Sequence, residues 1–283
     1  MEGLVSIGLA YFISRLISKP IEEIHDIIAS INEENIETKR LIIPKKNDEF
    51  AIVSQQFNEL LDKISFYIAQ QKHFVEDVSH ELRTPVAIVE GHLKLLNRWG
   101  KDDPEVLEES LTASLAEIKR MKTLVQEMLD LSRAPQVREQ YKDAKTEVVA
   151  TLEQIVTNFK ILYPDFTFIA DIDTKKEIIS PIYRNHFEQV IIILLDNAVK
   201  YSTDRKEIIV SLSPTTEAVE IGIQDFGMGL TEEDKKKVFS RFYRVDKARS
   251  RERGGNGLGL SIAKELIEGY NGKISLTSRL NHG

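Results

Sequence analysis

The run His73 to Pro85 reads HFVEDVSHELRTP, and it places an imidazole, a carboxylate and a hydroxyl within five residues. Around it, Val75, Val78, Leu82, Pro85, Val89, Leu93 and Leu96 recur at steps of three and four. That is the apolar stripe of an amphipathic helix that packs in a bundle. His80 lies two positions from Val78 and Leu82, roughly 200° around the helix from the stripe, so it faces out. Glu81 adjoins it, and Thr84 follows one turn along the same exposed face. An outward imidazole beside a carboxylate is a nucleophile with a proton acceptor at hand. Alone, an isolated His on a helix is better read as one more surface histidine. It is not a zinc-protease helix, because HELRT lacks the second histidine of H-E-x-x-H. His73, two turns earlier on nearly the same face, has neither an adjacent carboxylate nor a Thr at i+4.

Further along, Ile193, Asn197, Lys200 and Tyr201 step by four, three and one and share a helix face. An amide, an ammonium and an aromatic ring suit a metal, phosphates and a base; a helix with a polar edge is the plain alternative. In the strand that ends at Asp225, Val219, Ile221 and Ile223 point the same way as the carboxylate. A carboxylate closing a core-facing row needs a partner. Either the amino group of an adenine or the local backbone amides could supply it. Asp225-Phe226-Gly227-Met228-Gly229 then gives glycines that allow close backbone approach. Its Asp-Phe-Gly is not a protein-kinase signature, since no H-R-D-x-x-x-x-N loop precedes it. Phe239 to Lys247 brings Arg244, while Lys235 to Lys237 reads as a solvated helix face. The polar stretch Arg249 to Gly255 reads as a mobile lid. Gly255-Asn256-Gly257-Leu258-Gly259-Leu260 opens a helix and presents N–H groups and a positive dipole end to phosphate. No Lys-Ser or Lys-Thr follows, so it is not a Walker loop.

The elements that must hold these residues follow from periodicity. The chain has 283 residues, 42% hydrophobic and 29% charged, which is enough for two or more small domains. A net charge of −7 argues against a nucleic-acid partner, and the absence of cysteine excludes disulfides, thiolate metal sites and cysteine nucleophiles. Gly3 to Ile17 is mostly apolar but shorter than the ~20 residues of a bilayer span; it is expected to be the end of a truncated membrane helix. Ile21, Ile24, Ile28 and Ile31 form one heptad seam, and Phe50, Val53, Phe57, Leu60, Ile64 and Tyr67 another. An extended connector around Leu41 to Pro44 joins them. The second seam should continue into the His80 helix, kinked near Pro85 and ending near Trp99-Gly100, with Trp99 packing at the closed end. Asp103-Pro104 caps a return helix carrying Leu107, Leu111, Leu115, Ile118, Val125 and Leu129. Such a hairpin cannot hide its apolar face alone, so two copies should make a four-helix bundle. Polar Ser132 to Lys145 reads as a hinge. Beyond it the spacing predicts helices Val148–Leu162, Ile182–Tyr201 and Leu258–Tyr270. Strands are expected at Phe166–Ile172, Ile178–Ile179, Ile208–Leu212, Val219–Asp225 and Lys273–Thr277, making one sheet backed by helices.

The string S-H-E-L-R-T-P closely resembles the phosphoacceptor motif of bacterial two-component sensor histidine kinases. LLDNAVKYS resembles their N box, Asp225 to Gly229 their D-x-G-x-G box, FSRFYRVDK their F box, and Gly255 to Leu260 their glycine box. The two short heptad helices after a membrane segment look like a HAMP relay module, although a generic coiled-coil spacer fits the spacing almost as well. The resemblance covers almost the whole chain and implies a multidomain protein. An all-α HAMP module and an antiparallel helical hairpin forming a dimeric four-helix bundle would precede an α/β two-layer sandwich of the Bergerat, or GHKL, type. The expected parts are a membrane-helix end at 1–18, HAMP at 19–69, the dimerisation and phosphotransfer hairpin at 70–133, a linker at 134–145 and the ATP-binding domain at 146–283.

By that resemblance, His80 takes a phosphoryl group from ATP, Glu81 removes its proton and Thr84 positions water for dephosphorylating the regulator. Asn197 would bind Mg²⁺, Lys200 and Arg244 the phosphates, Tyr201 the adenine ring and Asp225 its amino group. Gly227, Gly229, Gly255, Gly257, Leu258 and Gly259 would shape the pocket. The implied partners are a second copy of the chain, ATP, a response-regulator aspartate and, through the N-terminal helix, the cytoplasmic face of the bacterial membrane. Two departures stand out: relatives often have Asn where Ile193 stands, and they usually continue past Gly283 into a further strand. The rival class is a water-activating ATPase of the gyrase and Hsp90 type. That class needs a carboxylate base one turn before the Asn, where this chain has Ile193. An inert coiled-coil relay is the remaining alternative.

Overall fold

The computed structural model describes residues 21–22, 24–32, 35–43, 49–134, 137–172, 177–216, 218–245, 255–280 and 282–283. The apolar stretch 3–17, Lys19-Pro20 and most of the expected lid, 249–254, lie outside the described residues. Two compact units are distinguished, Met1–Ser79 and His80–Gly283.

In the first unit, residues 24–30 are helical and a 50-residue helix, α1, begins at Glu49 and runs to Arg98 in the second unit. It continues through Pro85 and through the polar run at residues 69–72, as one helix. The connector between these helices packs on a specific face of α1. The Leu41 amide donates to Asn58 Oδ1 (2.8 Å), and Asn58 Nδ2 donates to the Leu41 carbonyl (2.9 Å). Ser65 Oγ donates to the Ile36 carbonyl, and Arg40 pairs with Asp62. Ile36, Leu41, Ala51, Ser54 and Leu61 are buried as a result. The heptad residues Val53, Leu60, Ile64 and Tyr67 stay exposed in the single chain.

In the second unit α1 is followed by a 3-10 turn at Gly100–Asp102 and by helix α2, Pro104–Arg133. The N-terminus of α2 is capped as the sequence predicts: Asp103 Oδ1 accepts from the amides of Glu105 (3.1 Å) and Val106 (3.4 Å). Trp99 does not pack into this end, being 52% exposed; buried Gly100 fills the corner, where a side chain would strike Val106. The predicted hinge is likewise partly packed. Ser132 and Arg133 belong to α2, Ala134 and Val137 are buried, and Val137–Gln140 forms one helical turn.

The α/β part contains helices α3 (Val148–Leu162), α4 (Arg184–Tyr201), α5 (Glu232–Lys237) and α6 (Gly259–Gly269). Its strands are β1 (Thr146–Glu147), β2 (Thr167–Ile172), β3 (Ile179–Ser180), β4 (Glu207–Pro214) and β5 (Val219–Gln224). The main sheet has the order β2-β4-β5, parallel then antiparallel. Alternation along β4 buries Ile208, Val210 and Leu212 against Leu152, Phe159, Ile191 and Leu195 of α3 and α4. The one-sheet expectation needs two corrections. β1 and β3 form a separate antiparallel pair, held by Glu147, whose carboxylate accepts from the amides of Val149 and Ile178 while capping α3. Residues 273–277 form no ladder, so the predicted strand Lys273–Thr277 is absent and β5 carries no strand on its outer side among the described residues. In its place the tail folds on itself, the Arg279 amide donating to the Gly283 carbonyl (2.7 Å).

Candidate nucleotide and phosphoacceptor site

His80 is exposed on α1, Glu81 beside it is half-buried, and Thr84 is exposed one turn on. The stripe behind them is buried at Pro85 and Leu96 and half-buried at Val78, Leu82 and Val89. Val75 and Leu93 remain open in the single chain. The outward direction read from the spacing therefore holds.

Two separate stretches, the loop after β5 and the glycine loop, converge on the C-terminal half of α4. That helix is positioned by burying Phe187, Val190, Ile191, Leu195 and Ala198, which turns Ile193, Asn197, Lys200 and Tyr201 to the opposite, half-buried side. The loop after β5 lies against the end of α4. The Met228 amide donates to the Tyr201 carbonyl (3.3 Å), and a Cβ on Gly227 would collide with that same carbonyl. Gly229 takes φ +62°, the left-handed region that glycine enters without penalty. Asp225 Oδ1 accepts from the Gly227 amide (2.8 Å), so the carboxylate braces its own turn. A carboxylate has two oxygens and about four acceptor positions, so this bond leaves capacity for a second donor.

The glycine loop closes the other side. A Cβ on Gly255 would collide with Lys200 Nζ, and one on Gly259 would come within 3.2 Å of Ile193 Cγ2 and 4.0 Å of Asn197 Nδ2. Gly257, at φ +75°, fits against the backbone of Phe242 and Tyr243, 2.9 Å from where its Cβ would be. Phe242 is itself left-handed (φ +59°), a conformation a bulky residue adopts only when its surroundings impose it. Arg244 is half-buried two residues on, and Leu258 is buried beneath the loop. The F-box turn is fixed by Tyr243, whose hydroxyl donates to Asp234 (2.6 Å) in the capping box of α5. On α5, Lys235 and Lys237 pair with Glu232 and Glu233 as a solvated face.

The structure therefore brings Gly227 to Tyr201, Gly255 to Lys200 and Gly259 to Ile193 and Asn197, and places Arg244 two residues beyond the Phe242 turn that meets Gly257. It also reveals groups that spacing did not point to. Asn256 is buried, and its Nδ2 donates to Glu127 of α2 (3.3 Å). Burial pushes the Glu127 carboxyl up, an effect opposed by the Asn256 bond, reinforced by Asp130 and countered by Lys200. Gln189 of α4 donates to Asp130 (2.7 Å). These contacts join residues more than fifty positions apart, and no local pattern announces them.

A family model described as His Kinase A (phospho-acceptor) domain matches residues 70–136. Another, described as Histidine kinase-, DNA gyrase B-, and HSP90-like ATPase, matches residues 183–283. The signal transduction histidine-protein kinase ArlS of Staphylococcus haemolyticus (strain JCSC1435) is 38% identical over 281 residues, covering 99% of this chain and 62% of that protein. ArlS of Staphylococcus aureus (strain USA300) is 39% identical with the same coverage. The chain thus spans less than two thirds of the length of these curated relatives.

Among solved structures, the Acinetobacter baumannii histidine kinase AdeS superposes with a TM-score of 0.50 at 24% identity, over 67% of this chain and 86% of that one. Histidine kinase ThkA, solved with response regulator protein TrrA, gives 0.54 at 22% identity, over 71% and 55%. These two speak for the fold, a helical segment followed by a GHKL-type α/β domain. The chain carries matches to both families and, over 99% of its length, is similar to these bacterial sensor histidine kinases.

Proposed function

We propose that this chain uses ATP to phosphorylate its own His80 and then passes the phosphoryl group to an aspartate of a response regulator. The observation that supports the reading is that one compact unit holds both parts. An exposed imidazole stands beside a carboxylate, and three glycines press the 255–259 loop onto Lys200, the Phe242 turn and Asn197. A histidine with no donor cradle would be a surface residue; a cradle with no acceptor would be an ATPase.

The chemistry follows from the residue types. Glu81 accepts the proton of one ring nitrogen of His80 while the other attacks the γ-phosphorus in line; the P–N bond forms, the bond to the bridging oxygen breaks and ADP leaves. Lys200 and Arg244 offset charge on the transferring group. Tyr201 offers a face for adenine, and Asp225 uses its remaining acceptor capacity on the adenine amino group. Asn197 supplies one hard oxygen, and no cluster of three acidic, His or Cys ligands exists among the described residues. That donor set fits Mg²⁺, which keeps several waters and binds through one or two protein oxygens plus phosphates. When bound, the ion neutralises charge on the β- and γ-oxygens. Thr84 would position water for hydrolysis of the regulator's acyl phosphate.

The assembly belongs to the same proposal. The exposed Leu111, Leu115, Ile118, Val125 and Leu129 support a homodimeric four-helix bundle over 70–133, since such a row needs cover. We assign 19–69 to a HAMP relay, because docking of the connector leaves the heptad seam of α1 exposed for a parallel partner. The apolar residues 1–18 would anchor this assembly to the cytoplasmic face of the membrane. Among the described residues no helix is long and apolar enough to cross one. The gyrase- and Hsp90-type ATPase reading is disfavoured by Ile193, which packs beneath Gly259 and cannot take a proton from water.

Incubation with γ-labelled ATP and Mg²⁺ should give an acid-labile label on wild type and none on His80→Gln, with both binding a fluorescent ATP analogue. Steady phosphate release without labelling of the protein would favour the ATPase instead.

A further inference from the structure

Helix α2 does more than return the hairpin: its C-terminal turns lie on the nucleotide cradle. Glu127 accepts from the buried Asn256 amide, in the middle of the glycine loop, and its carboxylate stands within the field of Lys200. A second set of contacts lies away from the loop. Asp130 Oδ2 accepts from Gln189 Nε2 on the first half of α4 (2.7 Å). The carbonyl of buried Ala134 would be 3.3 Å from a Cβ on Gly269, at the end of α6. Tyr141 stacks on Tyr183 (centroids 4.3 Å, planes 16° apart) and meets the His186 ring edge-on (4.9 Å). His186 Nδ1 in turn shares a 2.8 Å hydrogen bond with the Tyr270 hydroxyl.

We propose that Glu127 is an internal competitor of the nucleotide: docking of α2, anchored by Asp130, Ala134 and Tyr141, inserts a carboxylate where the triphosphate must bind, so docking and nucleotide binding exclude each other. The proposal rests on the nucleotide-site reading above and adds its regulation. A carboxylate is a small anionic acceptor, and it engages here the kind of donors that a phosphate needs. A triphosphate brought to Lys200 and the loop amides would meet a like charge at close range and a donor already engaged. Binding must therefore lift α2 from the loop, and anything that shifts the bundle helix against the α/β domain changes nucleotide affinity. The two ligands of the cradle are linked, and the coupling is reciprocal.

The test is titration of the full chain with a non-hydrolysable ATP analogue and Mg²⁺, for wild type, Glu127→Ala and Tyr141→Ala. Tyr141→Ala alters neither the charge nor the donors at the loop; it loosens only the anchor. Both variants should bind the analogue more tightly, by about three- to tenfold, and hydrogen exchange across residues 124–134 of wild type should rise when the analogue binds. Tightening in Glu127→Ala alone would mean local charge repulsion without competition by docking, and would overturn the proposal. So would unchanged or weaker binding in both variants. If folded wild type and both variants bind no analogue at all, the nucleotide-site reading itself falls; if wild type binds and the variants do not differ from it, only the competition falls.

Discussion

Thr84 and Gly257 show how much a single position contributes here, one through its hydroxyl and one through its lack of a side chain. Thr84 is exposed one turn from His80, where its hydroxyl can hold water near a docked acyl phosphate but stays off the path of the attacking imidazole. Thr84→Ala should slow regulator dephosphorylation by about tenfold or more, in line with the loss of one positioned polar group. Labelling of His80 should stay within about twofold of wild type. Unchanged dephosphorylation would remove Thr84 from the account. Gly257 sits at φ +75° with Phe242 and Tyr243 at its back. An alanine there enters the left-handed region at a cost of ~1–2 kcal/mol, before any displacement of the neighbouring backbone. Gly257→Ala should therefore lower the melting temperature by several degrees and weaken nucleotide-analogue binding at least about tenfold. Binding at wild-type strength would show that the loop does not cradle the ligand. At this scale the site was largely readable, because Asn197, Lys200 and Tyr201 share a helix face by spacing alone. For Asp225 both sequence alternatives had to stay open. The bond from the Gly227 amide shows that the backbone-bracing role is real, and it occupies only one oxygen.

Among the elements, long periodic segments were legible and short ones were not. Helix α3 runs over the predicted Val148–Leu162, and β4 alternates as its Ile208, Val210 and Leu212 require. β1 and β3 are two residues each, too short for any period, and they exist because Glu147 ties both the α3 amides and Ile178. The predicted strand at Lys273–Thr277 has the right alternation but no ladder, since pairing and pattern are separate requirements. The heptad row Val53, Leu60, Ile64 and Tyr67 stays exposed on α1, and spacing did not show that the connector would claim the Ala51, Ser54, Asn58 and Leu61 face instead. On α2 the exposed row Leu111, Leu115, Ile118 calls for a second chain. Leu115→Asp places a charge in that row and should shift the protein toward monomer in sedimentation or light scattering. A dimer of undiminished strength would place the interface elsewhere.

For the molecule as a whole, what local patterns could not convey is how α2 meets the α/β domain. The Glu127–Asn256 bond spans residues far apart in the chain and is accompanied by the packing of Ala134, Val137 and Tyr141, members of a polar-looking hinge stretch that turn out to be buried or stacked. The proposed transfer requires the α/β domain to alternate between holding α2 and moving toward His80, and contacts of modest strength on a few side chains suit that exchange. The central claim is the delivery of a phosphoryl group from the cradle to one imidazole, and it is tested most directly by locating the product. Wild-type chain incubated with Mg²⁺ and ATP, digested and kept at alkaline pH, should show by mass spectrometry one phosphorylated site, His80, destroyed by brief acid treatment. Phosphate found on another residue, or acid-stable phosphate alone, would contradict the account.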